Sequence, residues 1–143
     1  MDSYRDHSSW LKYKKILQSE FGLALDYEPN ECWEDINGHH VHIDEWEASV
    51  GEKSNRRAGA GKGTVVLVHG GGGNGRVLAP FAQGIADMGW RVLAPDLPGF
   101  GITRPVADWR GTYDAWPDLV AELADRQDEP VVLLGASMGG LTT

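Results

Sequence analysis

Three short apolar runs, TVVLVH at 64–69, RVLAP at 91–95 and VVLLG at 131–135, are separated by segments of helical period, and each runs into a glycine-bearing turn. A run of aliphatic and β-branched residues without polar alternation reads as a strand buried on both faces. Strands of that kind joined by helices form a parallel sheet with helices on both sides, connected by right-handed crossovers. The first intervening helix is expected over 76–89, with Val77, Leu78, Phe81, Ile85 and Met88 on one face. The second is expected around 114–127, with Trp116, Leu119, Val120 and Leu123 inward and Pro117 in its first turn. The class is α/β.

An antiparallel opening precedes these units. Residues 8–21 place Trp10, Tyr13, Ile16, Leu17 and Phe21 near one face of an amphipathic helix, with Ser8 or Ser9 as the cap and Gly22 as the stop. CWEDI, Asn37-Gly38 and HHVHIDEW then read as a hairpin, because Asn-Gly supplies the two positive-φ positions of a type I′ turn. Its outer face is expected to be acidic, and its histidines solvated. GEKSNRRAGAGKG at 51–63 is a polar connector without periodicity. The organisation expected is a helical extension over 1–30 and a domain over 31–143, made of hairpin 31–50, linker 51–63 and the βαβαβ segment 64–143.

Charge and cysteine usage restrict the partners. With 13 basic against 21 acidic residues the chain carries −8, which offers no footprint for nucleic acid and no anchor for an anionic membrane. No run approaches the ~18 apolar residues of a membrane span, and MDSYRDHSSW has no secretory character. The lone Cys32 supports neither an internal disulfide nor a thiolate metal site, so a reducing, cytoplasmic setting is expected.

The chemistry concentrates on the three turns. Gly135-Ala136-Ser137-Met138-Gly139-Gly140 follows the third strand directly. In a strand-to-helix elbow a nucleophile takes a strained backbone, and positions two residues either side must be very small, as Gly135 and Gly139 are. Ser137 then stands above the C-terminal edge of the sheet, with the Met138 N–H facing a developing oxyanion. His69-Gly70-Gly71-Gly72-Gly73-Asn74-Gly75 follows the first strand, and lets a carbonyl substrate approach backbone amides closely. Asp96-Leu97-Pro98-Gly99-Phe100-Gly101 follows the second.

Together these turns, in this order and at this spacing, make the sequence resemble the α/β-hydrolase superfamily over roughly 37–143, with the lysophospholipase, monoacylglycerol-lipase and small esterase branch as the nearer likeness. Ile102-Thr103 departs from the serine that many relatives carry just after this turn. The resemblance implies the N-terminal half of that fold, with Ser137 as nucleophile and Gly71 and Met138 as oxyanion donors. His69, Gly70, Gly72, Gly135 and Gly139 would support the loop and elbow, and Asp96 would be a structural turn residue. It implies acyl transfer from a small-molecule ester, thioester or amide through an acyl-enzyme, needing neither metal nor organic cofactor.

The family carries its triad acid and histidine after the nucleophile, whereas the histidines here are His7, His39, His40, His42 and His69. Reach from His39 or His42 on the hairpin is the only local substitute. An incomplete sheet and an incomplete triad are therefore expected, with the chain an inactive N-terminal portion whose bare VVLLG edge favours aggregation. Substrate identity and oligomeric state are not readable.

Two rival functions use the same residues. Gly70-x-Gly72-x-x-Gly75 after a strand, with Asp96 about 20 residues on, also fits a dinucleotide-binding fingerprint. A hydrolase-fold module without catalysis is the other. GAGKGT at 59–64 precedes its strand and lacks the Walker serine or threonine. Trp109 and Trp116 could line an acyl pocket, but packing is the preferred reading.

Overall fold

The structure, a computed structural model, describes residues 3–49 and 61–143. Residues 51–60 of the expected connector lie outside them. Five strands, β1 (Asn30–Ile36), β2 (His39–Trp46), β3 (Thr64–Val68), β4 (Arg91–Pro95) and β5 (Val131–Gly135), form one sheet in the order β1-β2-β4-β3-β5. The β1–β2 and β2–β4 pairs are antiparallel, and β3 lies parallel to both β4 and β5. Asn37 (φ 51°) and Gly38 (φ 83°) make the turn between β1 and β2, as the Asn-Gly pair predicts. Helices α1 (Ser8–Phe21), α2 (Ala79–Asp87) and α3 (Ala115–Asp125) flank the sheet.

Alternation along each strand divides the core between the two faces. Val66 and Val68 of β3 pack with Val41, Ile43, Leu93 and the inward α3 residues Trp116, Leu119, Val120 and Leu123. Val65 and Leu67 pack on the opposite side with Trp46, Val92, Ala94, the alanines of α2 and Trp10 of α1. The fold is thus a mixed sheet with helices on both sides; β3 and β4 are buried as their composition requires, whereas β5, expected to be buried on both faces, exposes Val132, Leu133 and Leu134 because among the described residues it pairs only with β3.

Several local expectations are corrected. The segment expected as one helix over 76–89 opens as a 3-10 turn, Gly75–Leu78, before α2 begins. Its buried face is Leu78, Ala79, Ala82, Gln83 and Ala86, while Val77, Phe81 and Met88 are 39%, 66% and 58% exposed. Both stripes satisfy a helical period, and the sheet takes the small one, which lets the helix axis come close. On α1, Trp10 and Leu17 are buried, but Ile16 and Phe21 are exposed. Its N-cap is His7 without a side-chain cap, and Gly22, at φ 64°, ends it as expected.

The hairpin is not a solvated acidic face. His39, His42 and Asp44 are 3%, 0% and 0% exposed. The β2 face carrying His42 and Asp44 is covered by the N-terminal segment around Tyr4 and Trp10, and His39 lies edge-on to Trp109. Nothing local announces a cover supplied from outside the hairpin. No helix among the described residues is long and apolar enough to cross a membrane.

Candidate active site

β5 runs through Ala136 (φ −99°, ψ 126°) into Ser137 at φ 54°, and a 3-10 turn, Ser137–Leu141, follows at once. An L residue in the left-handed region costs about 1–2 kcal/mol, so this bend is strained at the serine. Its tightness is written in the flanking glycines: a Cβ on Gly135 would overlap the Gly139 carbonyl, and one on Gly139 would overlap the carbonyl of Val68. Neither position admits a side chain. Ser137 itself is exposed.

The glycine loop lies against this bend. A methyl group on Gly70 would stand 3.1 Å from Ser137 Cβ and 3.6 Å from its Oγ, and one on Gly71 would stand 2.6 Å from Met138 Sδ. Among the described residues, the backbone N–H groups of Gly71 and Met138 donate to no protein acceptor. Two amide donors thus flank the serine without internal partners. Gly72, at φ 76°, forms the open tip of the loop.

His69 is wholly buried at the root of the loop. Its Nε2 accepts the Leu97 N–H at 3.0 Å, so the proton sits on Nδ1, which donates to the Gly70 carbonyl at 2.7 Å. Burial holds the imidazole below its ordinary value against the opposing pull of that carbonyl and of Asp96. A neutral ring with both nitrogens engaged shapes the loop and is not free to take a proton from Ser137.

Asp96 is fully buried. Its Oδ1 accepts from Gly75 N–H at 2.7 Å, and its Oδ2 from Tyr4 O–H at 2.7 Å and Ile102 N–H at 2.9 Å. Burial alone would raise this carboxyl, but interactions with His42, Ile102 and Tyr4 outweigh it and hold the group below the usual carboxylate range. With both oxygens committed internally, Asp96 presents nothing to a ribose, and the dinucleotide reading loses its key residue.

Residues that the sequence did not single out form a buried charged cluster behind the loop. Arg76, 3% exposed, donates to Asp44 through Nε at 2.7 Å and Nη2 at 2.6 Å, and to Glu31 through Nη2 at 2.7 Å. The guanidinium lies over the rings of Tyr4 and Trp10. Glu31, His42 and Asp44 bring ligand atoms within 4.8 Å of one another. However, the Glu31 and Asp44 oxygens nearest His42 are the ones Arg76 already holds, so the guanidinium is the cation of this cluster. The available signal was an arginine placed directly after a glycine loop.

No histidine among the described residues hydrogen-bonds Ser137. His39 Nδ1 accepts the Val106 N–H at 3.1 Å, His40 pairs with Asp35, and His42 faces Asp96, Asp44 and Glu31. Reach from the hairpin to the serine is therefore closed. Burial and the neighbouring glutamates push the Cys32 thiol up to about 12, which leaves it without nucleophilic character at neutral pH. Trp116 is buried in the core, with its indole N–H on the Pro98 carbonyl at 3.2 Å, and Trp109 packs over Gly99.

Strand order, the bend at Ser137 and the two glycine turns define an α/β-hydrolase fold. The chain belongs to the α/β hydrolase family, whose model matches residues 65–143. It is 36% identical over 86 residues to a 2-hydroxy-6-oxononadienedioate/2-hydroxy-6-oxononatrienedioate hydrolase of Cupriavidus pinatubonensis, covering 57% of this chain and 30% of that protein. It is 34% identical over 77 residues to the pimeloyl-[acyl-carrier protein] methyl ester esterase of Shewanella oneidensis, covering 54% of this chain and 26% of that protein. An epoxide hydrolase from Vigna radiata shares the fold at TM-score 0.61 and 18% identity, over 80% of this chain and 34% of its own. The chain therefore spans under a third of the length of these curated relatives.

Proposed function

We propose that the chain supplies the nucleophile and the oxyanion donors of a serine hydrolase that cleaves a small-molecule carboxylic ester, thioester or amide. The observation that carries this reading is Ser137 at φ 54°, exposed, with Gly70 and Gly71 packed against it and Met138. In this reading Ser137 Oγ attacks the acyl carbon, and the carbonyl oxygen gains charge between the Gly71 and Met138 amides. Each donor of that kind is worth about 3 kcal/mol in the transition state. The leaving group departs with a proton, and water then releases the acid from the acyl-enzyme. Gly70, Gly72, Gly135, Gly139 and His69 keep the loop and bend in place. No metal or organic cofactor takes part.

No histidine among the described residues is placed to accept the Ser137 proton, and in the family pattern the acid and histidine follow the nucleophile. A serine at the bend favours acyl transfer over epoxide opening, for which relatives of this fold use a carboxylate at the same place. The esterase from Shewanella oneidensis is a precedent for ester chemistry at this level of similarity.

The test is labelling of the full-length protein with a fluorophosphonate probe. Adduct on Ser137, lost in Ser137→Ala together with p-nitrophenyl acetate turnover, is the expected result. An unlabelled serine, or enhanced NADH fluorescence in the same sample, would overturn it.

A further inference from the structure

Both ends of the glycine loop are fastened to one dipeptide. Leu97 N–H donates to His69 Nε2 at 3.0 Å, and Gly75 N–H donates to Asp96 Oδ1 at 2.7 Å. Between these anchors the loop is braced by its own turn, in which Gly73 N–H returns to the Gly70 carbonyl at 3.2 Å and His69 Nδ1 donates to the same oxygen, by Asn74 Oδ1, which accepts the Val77 N–H at 3.1 Å, and by the packing of Gly70 and Gly71 on Ser137 and Met138. The position of the Gly71 amide therefore depends on where Asp96–Leu97 sits.

Asp96 is held in turn from the far end of the sequence. The Tyr4 hydroxyl, on a side chain 7% exposed, donates to Asp96 Oδ2 at 2.7 Å across 92 residues of separation. Tyr4 is itself anchored: its N–H donates to Glu31 Oε1 at 2.7 Å, and its ring lies 5.2 Å from the Arg76 guanidinium carbon. Arg76 directly follows Gly75, so the N-terminal segment grips the loop through its carboxylate and through the next residue.

We propose that Tyr4 is a positioning residue for acyl transfer, acting through Asp96 and Gly75 on the Gly71 amide beside Ser137. The proposal rests on the serine-hydrolase reading above. Without the hydroxyl, a buried carboxylate lacks one of its donors and gains torsional freedom, and the Gly75 N–H follows it. The substrate carbonyl tolerates loosened donors, whereas the oxyanion does not, so the loss falls on the transition state.

Tyr4→Phe in the full-length protein tests this, since it deletes one oxygen and keeps the ring. The expected result is a kcat for p-nitrophenyl acetate lowered about tenfold with KM unchanged. Hydrogen exchange at the hydrogen-bonded loop amides of Gly73 and Gly75 should quicken about tenfold, while those of β3 and β4 keep their protection. If wild type is labelled by fluorophosphonate but Tyr4→Phe leaves kcat or loop exchange unchanged, the positioning role is wrong. A uniform rise in exchange that includes β3 and β4 makes Tyr4 a stability residue and overturns the role equally. Failure of wild type to label overturns the serine reading instead, and the exchange comparison then still decides whether Tyr4 orders the loop.

Discussion

Gly139 packs its Cα against the carbonyl of Val68, so that a methyl group there would overlap that oxygen and stand 2.6 Å from the carbonyl of His69. The turn after β5 is thereby locked onto the end of β3, from which the glycine loop departs. Backbone touching backbone leaves no side chain to yield.

Gly139→Ala should therefore cost about 2–3 kcal/mol, read from chemical denaturation, because strand ends must separate to admit the methyl. Gly72→Ala is the matched comparison. Unlike Gly139, Gly72 has positive φ, at 76°, with open space around it. It should lose only about 1 kcal/mol.

Ser137 holds a strained backbone, at φ 54°. Ser137→Gly should be more stable than Ser137→Ala by about 1 kcal/mol in the same assay, since glycine alone adopts φ 54° without cost. Equal stability of the two would mean the bend is relaxed.

Acid should loosen the glycine loop. Burial depresses the folded-state value of His69 below its ordinary 6.5, so the unfolded chain gains a proton that the folded one refuses. The stability from the neutral ring is complete above pH 6.5 and is lost as pH falls from there through the lowered folded value. Buried His39 acts in the same sense, while Glu31 and Asp96, both depressed, stabilise above the carboxylate range and lose that contribution only as pH falls through it. Replacing His69 by glutamine should flatten the dependence of unfolding free energy on pH just below neutrality, by up to about 1.4 kcal/mol per pH unit. An unchanged slope would mean that His69 takes up its proton as readily in the fold as in the unfolded chain.

Arg76→Leu should destabilise by about 3–5 kcal/mol in urea, because it strands Asp44 and Glu31 without their cation. Asp44 is fully buried, and burial already pushes its carboxyl up against the pull of Arg76. Adding Asp44→Asn and Glu31→Gln should recover part of the loss.

The β5 edge predicts association. Val132, Leu133 and Leu134 are 45%, 38% and 46% exposed on a strand that, among the described residues, pairs only with β3. The 143-residue chain should sediment as larger species, and Leu133→Lys should shift it toward monomer.

The sequence by itself determined what depends on near neighbours. Apolar runs became the parallel strands, Asn37-Gly38 became a tight turn, and Gly135 and Gly139 sit where only glycine fits, because each is dictated within a few residues by sterics and period. Tertiary structure decided the rest. α2 turned its alanines and not Phe81 toward the sheet, since two stripes of equal period cannot be told apart until a neighbour selects the closer packing. Asp44 and His42 left solvent because Tyr4 and Trp10 cover them from a segment distant along the chain. For the same reason Tyr4, Asp96 and Gly75 meet only in the fold: each bond joins residues whose separation no local pattern records.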